Sequence, residues 1–340
     1  MTIHKFIDRR HIIYLVILAL AVFLFIPHLL GTNRVIDLLG SAQPLYLVIA
    51  LVAETTRYFT SAGSTLALAR LFDRSVPLLP MTEAFFAGSA LNRVFSTGGA
   101  PGMVVRLLFL LKHQVTTGSV AAIYLIEDLI GLVVGVIIFL VGIITLANKE
   151  TDGFVTNLAI GFLIGTVPLA VASIYILRYR SGVERIVHGL ARVVDALIKR
   201  FFHRTIYTPE RVEHSLDDFY LGLHAARRKP YLVGVSFVLN VMRYVGGGAA
   251  LYFSFLALDQ VIAPGVLILL YTTTSLLSST SAVLGEVAIM GTSFAVLSLA
   301  LGISPETAVV ALIISRTLSF WLPMPVGFLA LFHLRRHHDL

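Results

Sequence analysis

The chain has 340 residues, 57% of them hydrophobic and only 13% charged, a balance that excludes an ordinary soluble domain. It contains no cysteine, which excludes disulfides, thiolate nucleophiles and cysteine-ligated metals. The net charge of +7 does not point to nucleic acid, because the basic excess lies in the N-terminus, one central loop and the C-terminus, as the positive-inside rule expects of cytoplasmic segments.

Many apolar stretches approach or exceed the roughly 20 residues that cross a bilayer as helix, and none alternates as a barrel strand does. The expected fold is an all-α polytopic membrane protein, in the inner or plasma membrane, with both termini cytoplasmic. A first helix over about 12–30 follows Lys5, Arg9 and Arg10, and lacks a small-x-small cleavage site, so it reads as an uncleaved span. A second covers about 44–68 and carries Glu54 and Arg57, three apart and able to pair on one face.

Two short arms follow, about 82–95 and 101–111, separated by Ser96-Thr97-Gly98-Gly99-Ala100. Each is too short for a full span, which suggests a re-entrant hairpin opening to the cytoplasm. Pro101 suits the first turn of its second arm. A helix over about 117–146 holds Glu127 and Asp128, and another covers about 154–177. Gly131-x-x-x-Gly135 and Gly161-x-x-x-Gly165 are expected to permit close helix packing.

The segment 178–229 has eleven Lys/Arg against six Asp/Glu and is read as cytoplasmic. Ile186, Leu190, Val193, Leu197 and Phe201 recur at helical spacing opposite Arg185, Arg192, Lys199 and Arg200, the pattern of a surface amphipathic helix. Thr208-Pro209-Glu210 reads as the start of a second, polar helix. The segment is either a topology-setting linker or a collector of anionic headgroups. A helix over about 231–256 includes Arg243 and Gly246-Gly247-Gly248, which mark a hinge or a tight backbone contact. A second pair of arms, about 263–277 and 284–301, is expected to open outside. It carries the hydroxyl-rich run with Ser278, and then Glu286. After the break Gly302-Ile303-Ser304-Pro305, a final helix over about 306–332 carries Arg316.

Residues 1–153 and 154–340 then form two membrane repeats of opposite orientation, with hairpins at 82–111 and 263–301. Together they give about six full spans and two hairpins. Inverted repeats with broken helices are the architecture of alternating-access transporters, whereas simple spans without symmetry are the plainer alternative. Six ionisable residues sit at apparent membrane depth: Arg93, Arg106, Glu127, Asp128, Glu286 and Arg316. At about 3 kcal/mol each when unpaired, they have to pair with one another or face water. A self-neutralising structural network and a polar pathway are both open. With Arg243, Ser96, Thr97 and Ser278 they form the candidate substrate-binding set. No His-Glu-x-x-His and no P-loop occurs, so neither a metal, another cofactor nor ATP is expected.

Gly285-Glu286, Gly302-Ile303-Ser304 and Arg316-Thr317-Leu318-Ser319-Phe320-Trp321 resemble the C-terminal signature of the lysylphosphatidylglycerol synthase transmembrane (flippase-like) family. Gly102-x-x-x-Arg106, Val115-Thr116 and Glu127-Asp128 resemble its N-terminal half. The chain departs at Gly102-Met103, where a Gly-Glu pair is expected, and at Ser281-Ala282-Val283-Leu284-Gly285, where a Pro-Gly-Gly-type loop is expected. The resemblance implies a membrane domain that moves a lipid between leaflets. Because the chain ends at Leu340, no synthase domain is expected to follow. The leading expectation is a flippase or translocase for a phosphate-bearing lipid, aminoacylated or polyprenyl-linked lipids included, without catalytic residues. Arg93 and Arg106 would hold the phosphate. The partners expected are membrane lipids and a second copy of the chain, with no nucleic acid. The alternatives are a non-transporting membrane scaffold and an intramembrane lipid-modifying enzyme.

Overall fold

A computed structural model describes residues 40–95, 99–146, 152–189, 208–280 and 302–336, with residues 37, 192, 294 and 298 besides. Every regular element among the described residues is helical. The helices are α1 (Pro44–Ala69), α2 (Leu78–Phe95), α3 (Ala100–Lys112), α4 (Thr117–Leu146), α5 (Asp152–Arg178), α6 (Pro209–Arg228), α7 (Pro230–Leu256), α8 (Pro264–Thr280), α9 (Pro305–Arg316) and α10 (Pro323–Arg336). The expected helix over 12–30 lies outside the described residues, as does most of the arm over 284–301.

Among the described residues, three helices are long and apolar enough to cross a membrane: α4, α7 and the stretch Val310–Arg336. Their outward faces are apolar. Val133, Ile137, Leu140 and Ile144 form one exposed stripe on α4, and Tyr231, Val235, Val238, Met242 and Val245 form another on α7. The same applies to Leu45, Val48, Val52 and Phe59 on α1. Polar residues instead face inward, with Glu54, Ser64, Thr65, Ser236 and Asn240 all buried. Water as solvent would favour the reverse; hydrocarbon favours this arrangement.

α2 and α3 form an antiparallel helical hairpin. At 18 and 13 residues, they reach about 27 and 20 Å, against a hydrocarbon core of about 30 Å. α2 starts four residues before the expected arm, because Pro80 falls in its first turn, where a missing N–H is harmless. The arms meet backbone to backbone: a Cβ on Gly88 would lie 2.9 Å from Gly102 Cα. Gly99, at φ +83°, makes the turn, and Asn92 Oδ1 accepts the Gly102 N–H at 2.6 Å, capping α3.

α1 and α7 form the most extensive interface, running antiparallel. α2 packs on α10, and α8 packs on α4. Gly327 meets the Phe86 carbonyl and Ala90 at the first of these contacts, and Gly142 meets Ile268 and Leu269 at the second.

α6, the polar helix expected after Thr208, is packed against the membrane helices. It docks on the start of α4, where Gly118 lies against the Ser215 carbonyl and Gly222 against the Phe72 ring. Phe219, Tyr220 and Leu223 are buried there, and Lys229 bonds Asp73 at 2.6 Å. Thr208 takes the expected N-cap position with extended backbone, but its side chain makes no capping bond. Exposed Arg180 bridges Glu184 at 2.7 Å and Asp217 at 2.5 Å, and hydrogen bonding to those carboxylates holds its pKa above the ordinary value. Ile186 of the expected surface helix is exposed beside Arg185, while most of 190–207 lies outside the described residues. Gly161 and Gly165 are also exposed, and a Cβ on Gly161 would meet nothing, so this pair mediates no packing among the described residues.

Candidate functional site

The site forms where α1 crosses α7. Gln43 N–H donates to the Ala257 carbonyl at 2.9 Å, and the Ser64 and Ser236 hydroxyls bond at 2.7 Å. That antiparallel register sets Arg57 level with Arg243. Glu54 and Arg57 pair as their spacing suggested, near the middle of α1, with Arg57 Nη1 2.7 and 2.8 Å from the two carboxylate oxygens. Glu54 is buried, whereas the Arg57 side chain keeps 33% of its surface. Arg57 Nε is buried without an acceptor among the described residues.

The three glycines of α7 let these side chains in. The helix runs through them unbroken, and close contact is seen at two of the three. Gly246 lies against the Ala53 carbonyl and the Arg57 stem, and Gly247 receives the Tyr271 hydroxyl; a Cβ on Gly248 would meet nothing.

α4 closes the site. Thr65 Oγ1 donates to Glu127 Oε1 at 2.7 Å, with the Ser64 hydroxyl alongside. Asn240 Nδ2 donates to Ser64 Oγ and to the Ser236 carbonyl, both at 3.0 Å. Arg106 and Arg243 are the cations whose charge acts on both Glu127 and Asp128. Neither makes an ion pair or a hydrogen bond among the described residues. Arg106 stands between two rings, 4.7 Å from that of Phe85 and 5.0 Å from that of Tyr124, a cation–π seat. The Gly131-x-x-x-Gly135 pair admits side chains rather than a helix: Arg243 Nη2 sits 3.1 Å from where a Gly131 Cβ would be, and the Tyr244 hydroxyl 2.8 Å from that of Gly135. Glu127 and Arg57 are both partly accessible and Asp128 beside them is exposed, so the cluster is not sealed into a dry core.

Arg93 is placed differently. Its Nη2 donates to the Ser319 carbonyl, and to the Tyr58 hydroxyl at 3.3 Å. The helical partner of that carbonyl would be residue 323, a proline without an N–H, whose ring also crowds it. The chain answers with a π turn, Thr317–Trp321, where Leu322 N–H reaches back to the Thr317 carbonyl at 2.9 Å. Arg93 supplies the donor that Pro323 lacks and ties the first hairpin to the last helix.

The structure thus brings together Arg106, Glu127, Asp128 and Arg243, with Arg93 tied to the π turn close by in the chain fold. Arg316 is half-buried at the end of α9, immediately before that turn. Ser278 lies on α8. Ser96, Thr97 and Glu286 lie outside the described residues. Among the described residues, no three His, Asp or Glu side chains converge as metal ligands would. Sequence reasoning left Arg57 out of the binding set. A repeated motif marks it: Glu54-x-x-Arg57-Tyr58 and Asn240-x-x-Arg243-Tyr244 stand at the same distance from the prolines that open α1 and α7.

A family model described as the lysylphosphatidylglycerol synthase TM region matches residues 12–327. No curated protein matches the chain significantly.

Proposed function

The chain belongs to the lysylphosphatidylglycerol synthase TM region family, and from that premise we propose that it is a lipid translocase. It moves a phosphate-bearing lipid between leaflets of the cell membrane by alternating access and modifies nothing covalently. The observation that carries this reading is the charge cluster: Arg106 and Arg243 stand within electrostatic reach of Glu127 and Asp128, without a hydrogen-bonded acceptor among the described residues, in a bundle whose outer faces are apolar. A charge at membrane depth costs about 3 kcal/mol, and hydrogen-bond donors left open there suit a polar passenger. Phosphate oxygens match guanidinium donors, and the two carboxylates suit a cationic headgroup or a proton.

Support for an inverted repeat comes from reciprocal contacts. α1 touches α2 and α4, as α7 touches α8 and α9. α2 of the first half packs on α10 of the second, and α8 of the second packs on α4 of the first. α1 and α7 pair with each other, as two equivalent elements beside a two-fold axis would. In this reading α2–α3 and the arms over 263–301 are re-entrant hairpins from opposite leaflets, and both termini are cytoplasmic.

The test is reconstitution into vesicles with fluorescent phosphatidylglycerol, its lysyl ester, and a short polyprenyl phosphate, each scored for dithionite-accessible fraction over time. We expect movement of at least one of these, falling about tenfold or more in Arg106→Ala, as befits loss of a charge-assisted contact. Movement of none, in vesicles where the protein is folded, overturns the translocase.

A further inference from the structure

We propose that Arg57 and Arg243 form a phosphate-binding site at the centre of the α1–α7 crossing, with Glu54 as its built-in competitor. The inference rests on the translocase reading for the class of its ligand and goes beyond it in naming the site and its control.

Geometry carries it. The register fixed by Gln43 with Ala257 and by Ser64 with Ser236 brings the two arginines to the same level of the crossing. Tyr244 lies within electrostatic reach of both, and Tyr271 lies beside Arg57 and edge-on to Tyr244, with ring centroids 6.2 Å apart.

Glu54 does not complete the site. Both of its oxygens sit on a single nitrogen, Nη1, so the Nε–Nη2 edge, which makes two parallel bonds to a carboxylate or phosphate, is left over. On that edge Nε is buried and unpartnered among the described residues, and the side chain still keeps a third of its surface. Arg243 offers a whole guanidinium without a hydrogen-bonded acceptor among the described residues. A tetrahedral phosphate has oxygens enough to take the free edge of Arg57 and reach Arg243 as well.

The repeat gives the control. Where α1 has Glu54, α7 has Asn240, which is spoken for by Ser64 and Ser236. Only one of the two equivalent positions therefore carries a tethered carboxylate. It damps the field of the arginines while the site is empty and opposes an arriving phosphate. A phosphate ester binds by sharing or displacing it.

The experiment is titration calorimetry on the purified full-length protein in detergent, using dihexanoyl phosphatidylglycerol and inorganic phosphate separately, with thermal stability read alongside. Glu54→Gln, nearly isosteric, is expected to bind the short lipid about tenfold tighter and to gain more thermal protection from it. Misfolding does not mimic a gain. Arg57→Lys and Arg243→Lys keep the charge but lose the planar edge, and each is expected to bind about tenfold more weakly while eluting as the wild type does. Unchanged or weaker binding in Glu54→Gln overturns the proposal, as does wild-type binding in Arg243→Lys or no phosphate binding by the wild type. If inorganic phosphate binds with this mutational pattern and the lipid does not, the site stands and the lipid translocase falls. If labelled lipid is moved at wild-type rate by both lysine variants, the translocase stands and this site falls.

Discussion

At Ser319 a proline four residues ahead removes the donor that a helix would supply, and an arginine from another element replaces it. Leaving such a carbonyl unsatisfied inside a membrane bundle costs about 1–3 kcal/mol. Arg93→Gln is therefore expected to lower stability by about that amount, measured by thermal unfolding in detergent. In Pro323→Ala the helix regains its own N–H, so the same Arg93→Gln change is expected to cost clearly less. Additive effects in this double-mutant cycle would show that Arg93 does not answer Pro323. The contrast between Arg57 and Arg93 also explains what was legible. Glu54 and Arg57 are three apart on one helix, and local spacing alone forecasts their pairing. Arg93 and Ser319 are 226 residues apart, and no periodicity reports such a contact. Arg93 thus looked like a ligand for phosphate when its chain position was all that was known, whereas its Nη2 is engaged by a backbone carbonyl and a tyrosine hydroxyl.

Among the helices, hydropathy and proline placement located α1, α4, α5 and α7 to within about two residues, because each is a long apolar run opened or closed by a polar turn. What each glycine admits was not readable. Gly131 and Gly135 face Arg243 and Tyr244, Gly161 faces nothing, and Gly246 and Gly247 receive side chains, although all five belong to similar small-residue patterns. Packing partners decide the cost of substitution, so the effects are expected to separate. Gly327→Leu drives a side chain into the Phe86 backbone and is expected to destabilise by about 3 kcal/mol or more. Gly142→Ala would set its methyl 2.8 Å from Ile268 Cγ2 and 2.9 Å from Leu269 Cδ2, side chains rather than backbone, and is expected to cost less, about 1–2 kcal/mol. Gly161→Leu is expected to be neutral. Thermal unfolding of the three variants side by side checks the order, and a Gly161→Leu loss as large as that of Gly327→Leu would contradict it.

Across the molecule, the two halves that topology suggests do not each own a core. One buried cluster joins Ala62, Met81, Phe109 and Ile123 to Phe219, Tyr220, Leu232 and Leu334. The other joins Ala50, Phe139 and Leu146 to Leu251, Phe255, Leu269, Val310 and Leu318. Each half thus donates apolar side chains to both clusters, and α2 and α8 each find their main partner across the halves, in α10 and α4. Hydropathy reveals the order of segments along the chain but not this exchange, since a lipid-facing stripe and a packing stripe are equally apolar. The exchange has a consequence for assembly. A chain cut between Leu146 and Asp152 leaves Ser64 in one half and Ser236 and Asn240 in the other, each deprived of the hydrogen bond it makes across the crossing of α1 and α7 and left open to lipid. Such exposure costs several kcal/mol per group, so neither half is expected to be stable alone. Co-expressed, the two halves are expected to recover one another and to co-elute as a single species of about the full chain's mass when only the first is tagged. Carrying Ser64→Leu in the first half, which crowds the Ser236 hydroxyl at the crossing of α1 and α7, is expected to reduce the recovered second half severalfold. Halves that are monodisperse and protease-resistant when expressed separately would mean that each folds on its own, and that the shared clusters form only after folding is complete.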